Sequence, residues 1–205
     1  MRLAVFGATG ATGQELVHQA VAVGARVTAL VREPSRLAGD RAGLEVVKGD
    51  VADAGSVDEA VAGQDAILSA LGPTGRNPST VCEDGARHIT AAMERTGVRR
   101  LIAVSAFGAA ESRDRSLYCR ILWRSVPHKM RDKEQMESLI AATALDWTIV
   151  RPPALRAGGL TGSYRVGPRL PVKLTSKVSR ADLAHFMLRE LGEPQWVGQT
   201  VTIIG

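Results

Sequence analysis

Gly7, Gly10 and Gly13 recur at intervals of three in the run Gly7-Ala8-Thr9-Gly10-Ala11-Thr12-Gly13. Positions without side chains at this spacing suit one task, which is bringing backbone N–H groups against a diphosphate. Gly7 permits a tight turn, Gly10 a close approach of backbone to ligand, and Gly13 close packing of the following helix on the preceding strand. The free amides and positive dipole end of a helix starting here would meet the phosphates. The spacing is G-x-x-G-x-x-G rather than G-x-G-x-x-G. Its weight comes from context, because an apolar strand precedes it, an amphipathic helix follows, and a second strand lies beyond at the right distance.

That second strand chooses the nucleotide. A carboxylate at its end would hold ribose hydroxyls, but this chain has Val31-Arg32 there. A guanidinium pairs with a 2′-phosphate and stacks on adenine. Such a charge-assisted contact of about 1.5–3 kcal/mol favours NADPH roughly tenfold to a hundredfold. Arg36 adds to it, and Glu33 is expected to point away. Asp50, after the third strand, is placed for the adenine amine with Val51 against the ring; its bland alternative is capping the next segment.

The reacting end is expected where later strands finish. One delivers Ser105-Ala106-Phe107-Gly108 and another Arg151-Pro152-Pro153-Ala154. Ser105 can hydrogen-bond a substrate or a carboxamide, and Pro152-Pro153 make a stiff wall without N–H groups. Lys133 on an intervening helix can reach a ribose. No Tyr-x-x-x-Lys accompanies it, since Lys129 stands four residues before Lys133, and Tyr118 and Tyr164 are followed four on by Leu122 and Pro168. Without that acid–base pair, ordinary carbonyl reduction is disfavoured, and an acceptor that takes hydride without a strong protein acid is favoured. His18, His88 and His185 read as structural. His128 has no carboxylate partner at a recognisable spacing.

The elements that must position these residues alternate in type. Strands are predicted at Arg2–Phe6, Ala25–Val31, Leu44–Lys48, Asp65–Ala70, Arg100–Ser105, Trp147–Arg151 and Gln199–Ile204. Helices are predicted at Gly13–Val23 (with Leu16, Val17, Ala20 and Val23 on its apolar face), Val57–Ala62, Pro78–Thr96, about Lys129–Thr143, and from a Ser179–Asp182 cap to about Leu191. Residues 156–178 read as loop with short strands. This is an α/β Rossmann-type doubly wound parallel sheet with helices on both faces and a small C-terminal substrate lobe. A single domain over 1–205 is expected, with 1–150 as nucleotide-binding core and 151–205 completing the sheet and supplying the lobe.

The net charge of +5 is modest. It gathers in Arg113, Arg115, Arg120, Arg124, Lys129, Arg131 and Lys133, opposed only by Asp114 and Asp132. That stretch is a solvated basic surface, a rim for an anionic substrate, or a nucleic-acid face; the lack of interleaved aromatics disfavours the last. Cys82 and Cys119 form no metal-ligand spacing, and no metal is expected. No apolar run approaches the roughly 20 residues that span a bilayer, and no leader segment is visible. The expectation is a cytoplasmic protein.

The stretches FGATGATG, VTALVREPSRL, GDV, VAGQDAIL, GAR-x-I-x-AAM (Gly85 to Met93), VSAF, VRPP, LTGSY and DLAHFMLREL together resemble the atypical short-chain dehydrogenase, NmrA-like NAD(P)H-binding family, and within it the biliverdin-IXβ reductase (flavin reductase) branch. The resemblance runs nearly end to end and is weakest at about 109–132. It implies a monomer that uses NADPH to reduce flavins and some linear tetrapyrroles. It further implies phosphate contacts at Gly7, Thr9, Gly10, Thr12 and Gly13, the 2′-phosphate on Arg32, adenine between Asp50 and Val51, the adjoining ribose at Leu71 and Gly72, and Ser105 in the active site. The branch's animal members carry His where this chain has Ala154 and Lys133, and many NmrA-like relatives share the lysine. Flavin reduction is thus the stronger expectation of the two. A non-catalytic sensor of NADP(H) is the alternative. An epimerase or dehydratase of nucleotide sugars ranks last, because the short C-terminal lobe leaves little room for such a substrate.

Overall fold

Strand and helix alternate through most of the chain. The computed structural model describes residues 1–37, 42–75 and 77–205. β1 (Arg2–Phe6), α1 (Ala11–Ala22) and β2 (Arg26–Val31) form the first unit, followed by a 3₁₀ turn at Pro34–Arg36. β3 (Leu44–Lys48), α2 (Ala54–Val61), β4 (Ala66–Ser69), α3 (Val81–Thr96) and β5 (Arg100–Val104) continue the alternation. A second 3₁₀ turn (Ala110–Ser112), α4 (Leu117–Ser125) and α5 (Pro127–Ala141) lead to β6 (Asp146–Arg151). The C-terminal part holds β7 (Ala154–Arg156), β8 (Arg165–Gly167), β9 (Lys177–Ser179), α6 (Arg180–Gly192) and β10 (Gln199–Ile204).

Among the described residues, eight strands form one sheet in the order β3-β2-β1-β4-β5-β6-β10-β8. All its pairs are parallel except β10 with β8. Chain order reverses between β1 and β4, and a doubly wound sheet opens its ligand crevice at such a reversal. β7 and β9 pair in a separate parallel ribbon, the C-terminal lobe.

The strands are apolar on both faces because both are covered. Leu3 and Val5 of β1 face a core shared with α1 (Leu16, Val17, Ala20) and α6 (Leu183, Phe186, Met187). Ala4 and Phe6 face the other core, with α2, α3 (Ile89, Met93) and α5 (Met136, Ile140). A fully buried Leu or Phe of this kind contributes roughly 1.5–3 kcal/mol.

Three expectations need correction. Val23 is 76% exposed and belongs to the turn that ends α1, not to its buried face. α3 starts at Val81 rather than Pro78, because its first amides are capped from elsewhere in the fold. α4 replaces part of the stretch read as irregular. Ser116 Oγ caps it by accepting the Cys119 N–H at 3.2 Å. Its apolar Leu117 and Ile121 face outward, so no buried stripe announces it. Gly97 ends α3 in the left-handed region at φ 75°, as its position predicts.

Candidate functional site

The turn after β1 is held by the Gly10 N–H donating to Gly7 O at 3.0 Å. Gly7 has φ +78°. A Cβ on Gly13 would lie 2.1 Å from Gly7 O, so α1 closes on the turn as only glycine permits. No side chain caps α1 and no acidic residue stands in its first turn. By contrast α2, α4 and α6 are capped by Asp53, Ser116 and Ser179. The first amides of α1 are therefore available to an anion.

A cleft of about 130 Å³ lies over this turn. Gly7, Thr9 and Gly10 line it from β1 and its turn, and Arg32 and Arg36 from the end of β2. Asp50, Val51, Leu71 and Gly72 close it from the β3 and β4 ends. Glu33 does not line it. Thr12 and Gly13 lie just behind, in the first turn of α1. Asp50 Oδ1 accepts the Ala52 N–H at 3.0 Å, so the local capping role is present as well. His88 Nδ1 sits 2.8 Å from Val51 O and steadies that segment.

Ser105, Lys133, Pro152, Pro153 and Ala154 fall outside this cleft, at the ends of β5 and β6. Ser105 N–H donates to Val150 O at 2.7 Å, which joins the two strand ends. Its Oγ is buried and has no hydrogen-bond partner within the protein. Lys133 Nζ is buried on α5 and donates to Val104 O at 2.6 Å and Leu71 O at 2.7 Å. One ammonium thus ties the end of β5, beside Ser105, to the segment after β4 that lines the cleft. Lys129, one turn earlier, donates to Pro73 O at 3.4 Å. Pro152 and Pro153 are buried and Ala154 is exposed. These positions also test whether a dinucleotide fits: the glycine cradle would be filled by any Cβ, and Ser105 Oγ needs a partner.

Several residues here carry no sequence prediction. Asp132 caps α3 from α5, accepting the Glu83 N–H at 2.9 Å and the Cys82 N–H at 3.2 Å. Burial pushes the Cys82 thiol up to about 11, which leaves it protonated and inert. Arg151 at the end of β6 donates to Glu137 of α5 and to Glu111 of the 3₁₀ turn. Burial opposes the Arg151 charge, but its hydrogen bonds to both carboxylates outweigh it and raise its pKa. The available signal was charge at core spacing: Lys133, Met136, Glu137 and Ile140 lie on one face of a helix.

The basic residues of 113–131 lie mostly on the surface of α4 and α5. Arg113 stacks over Trp123 at 3.7 Å from the ring centre, which corrects the expectation that no aromatic interleaves with these basic residues: Tyr118 and Trp123 do. Among the described residues, no helix is long and apolar enough to cross a membrane.

A family model described as NAD(P)H-binding matches residues 7–194. Reductase pytE of Aspergillus terreus is 29% identical over 259 residues, covering 98% of this chain and 97% of that protein. The UPF0659 protein YMR090W of Saccharomyces cerevisiae is 26% identical over 216 residues, covering 100% of this chain and 93% of that protein. The solved structure of ChuY, an anaerobillin reductase from Escherichia coli O157:H7, superimposes with a TM-score of 0.84 at 25% identity and covers 100% of this chain and 97% of its own.

Proposed function

The chain belongs to the NAD(P)H-binding family, and from that premise we propose that it is an NADPH-dependent reductase acting on a flavin or another conjugated acceptor. One observation carries the reading. Lys133 is fastened at the carboxyl ends of two strands, and the residue one turn before it is Lys129, not tyrosine. The site can hold a coenzyme ribose but lacks the phenol that a Tyr-x-x-x-Lys pair would set one helical turn before the lysine to protonate an alkoxide. That suits an acceptor whose conjugated system takes up the negative charge itself.

The backbone of residues 7–13 would hold the diphosphate, Arg32 and Arg36 the 2′-phosphate, Asp50 and Val51 the adenine, and Leu71 and Gly72 its ribose. Ser105 Oγ would bond the carboxamide or the acceptor, with Pro152, Pro153 and Ala154 as the wall. The third N–H of Lys133 faces only the weak acceptor Met136 Sδ at 4.0 Å, which a ribose hydroxyl would replace. The bound coenzyme supplies the hydride, and the chain supplies position and electrostatics. Residues 1–150 act as the nucleotide half and 151–205 as sheet completion and acceptor lobe, in one domain. The reading includes action as a monomer in the cytoplasm, where the buried free thiols of Cys82 and Cys119 would stay reduced. Reductase pytE and ChuY, named above as reductases, support the reaction class.

The purified chain is expected to consume NADPH absorbance with FMN or riboflavin. No change across a panel of flavins and quinones would overturn the reading. Arg32→Ala is expected to weaken NADPH roughly tenfold to a hundredfold while leaving NADH nearly unchanged. Equal loss of both would remove Arg32 from the 2′-phosphate. The missing tyrosine also favours a second reading, a sensor that binds NADP(H) without turnover; tight binding with no oxidation would select it.

A further inference from the structure

The crossover from β6 to β10 runs through α6, which packs on the α1 side of the sheet. Among the described residues no helix follows α5 on the opposite side, so β10 lines a cavity there, with Thr202 buried and Thr200 half-buried. Alternation along β10 sends Val201 and Ile203 into the α6 core and Thr200 and Thr202 the other way. The result is a cavity of about 760 Å³ that shares no residue with the nucleotide cleft. Its size is that of a small-molecule site. Its lining includes Phe107, the guanidinium groups of Arg151 and Arg169, the carboxylates of Glu111 and Asp114, and Thr200 and Thr202 of β10. Thr202 is the cross-strand neighbour of Arg151. The cavity reaches the carboxyl ends of β5 and β6, where Phe107 N–H donates to Pro152 O at 2.9 Å.

Arg151 meets two carboxylates of different standing. Glu137 is buried and faces it from α5, and it suffices to balance the charge. Glu111 is 73% exposed, and its two oxygens take Arg151 Nη1 at 2.8 Å and Nη2 at 2.9 Å. That two-pronged geometry is the one a guanidinium offers to a ligand carboxylate or phosphate. The turn that carries Glu111 is strained, since Ala110 has φ 45°, in the left-handed region a side chain disfavours. Arg169, which also lines the cavity, has no ion-pair partner among the described residues.

We propose that this cavity receives the oxyanion of the acceptor, a carboxylate or phosphate on a flat conjugated molecule, and that Glu111 is the intramolecular stand-in which that oxyanion displaces from Arg151. The inference rests on the reductase reading for the acceptor's identity as a conjugated molecule, but the site itself rests on Arg151, Glu111 and the cavity. Exchange of one anion for another keeps a negative partner on Arg151, so its buried partner Glu137 stays paired. The Arg151 guanidinium holds the Glu111 carboxyl below the usual carboxylate range, so the stand-in is ionised at neutral pH. Arg169 adds attraction, and Phe107 and the proline-rich 168–171 loop supply apolar contact for a planar body.

The test is flavin binding to the purified full-length chain, followed by fluorescence quenching, with FMN and riboflavin as the probes with and without an oxyanion. The wild-type chain is expected to bind FMN more tightly. Glu111→Ala removes an exposed side chain and is expected to tighten FMN about tenfold with no change for riboflavin. Arg169→Ala is expected to weaken FMN alone. Thr200→Trp fills the cavity from a half-buried position and is expected to abolish binding of both, with the fold checked by circular dichroism. The proposal is overturned if Glu111→Ala leaves FMN affinity unchanged, or if a folded Thr200→Trp variant still binds flavin. NADPH oxidation followed in parallel separates the two readings. FMN tightening without turnover would sink the reductase and keep the site, whereas turnover indifferent to Glu111 would do the reverse.

Discussion

The two regions along the carboxyl edge of the sheet are made of different materials. At residues 7–13 the backbone is the binding element: three glycines, an uncapped helix, and a turn closed by one N–H to carbonyl bond. Every part of it comes from one short segment. Around Arg151 the binding element is a set of charged side chains from β6, α5 and a 3₁₀ turn, brought together across 40 positions of chain between residues 111 and 151. The first region is rigid because there is no room to move. The second is held by charge balance and keeps one partner, Glu111, on the surface. A site for a constant group such as a diphosphate can be built the first way; a site for a variable group gains from the second.

Breaking the charge set should have the largest effect on stability. Arg151→Met leaves Glu137 buried without a partner and is expected to cost about 3–5 kcal/mol in urea unfolding. Arg151→Met with Glu137→Met should recover most of that loss. A single variant as stable as wild type would mean that α5 is not held to β6 by this pair.

Gly13→Ala tests the backbone region. The added methyl meets Gly7 O and the Ala8 backbone, so overpacking of about 1–3 kcal/mol is expected, together with loss of coenzyme binding by calorimetry. Unchanged binding would show that the turn can open without consequence.

The smallest effect is an acid one that sharpens the contrast. Hydrogen bonding to Arg151 depresses the pKa of Glu111 below its ordinary 4.5. Its contact with Arg151 is therefore fully present above that value and is lost as pH falls through the lower folded-state value. Limited proteolysis of the 107–116 segment should quicken below about pH 4.5 in the wild type and respond less to acid in Glu111→Ala, where the remaining response belongs to Asp114, whose carboxyl the Ser116 hydrogen bonds also hold down. Equal acid sensitivity in both would detach the turn from this ion pair.

Local signals were legible and long-range ones were not. The strand bounds Arg2–Phe6, Leu44–Lys48 and Gln199–Ile204 follow from apolar runs punctuated by glycine and charge, and they match the fold. The grouping of Gly7, Gly10, Arg32, Arg36, Asp50 and Val51 around one cleft follows from strand ends in a parallel sheet, whereas Thr9, Leu71 and Gly72, which also line it, were legible only through the family resemblance. α4 escaped notice because it is short and only Cys119 among its residues is fully buried. Asp132 escaped because a cap supplied from another helix has no spacing rule.

The sequence by itself determined the parallel sheet, its crossover helices and the turn at 7–13, because those depend on neighbours in the chain and on periodicity. Only the tertiary structure decided that Lys133 binds the carbonyls of Leu71 and Val104, that Arg151 stands between Glu137 and Glu111, and that one face of β10 lines a cavity rather than a helix. Those features depend on which distant side chains come to share a buried space: periodicity can mark Lys133 and Glu137 as facing the core, but it does not name their partners.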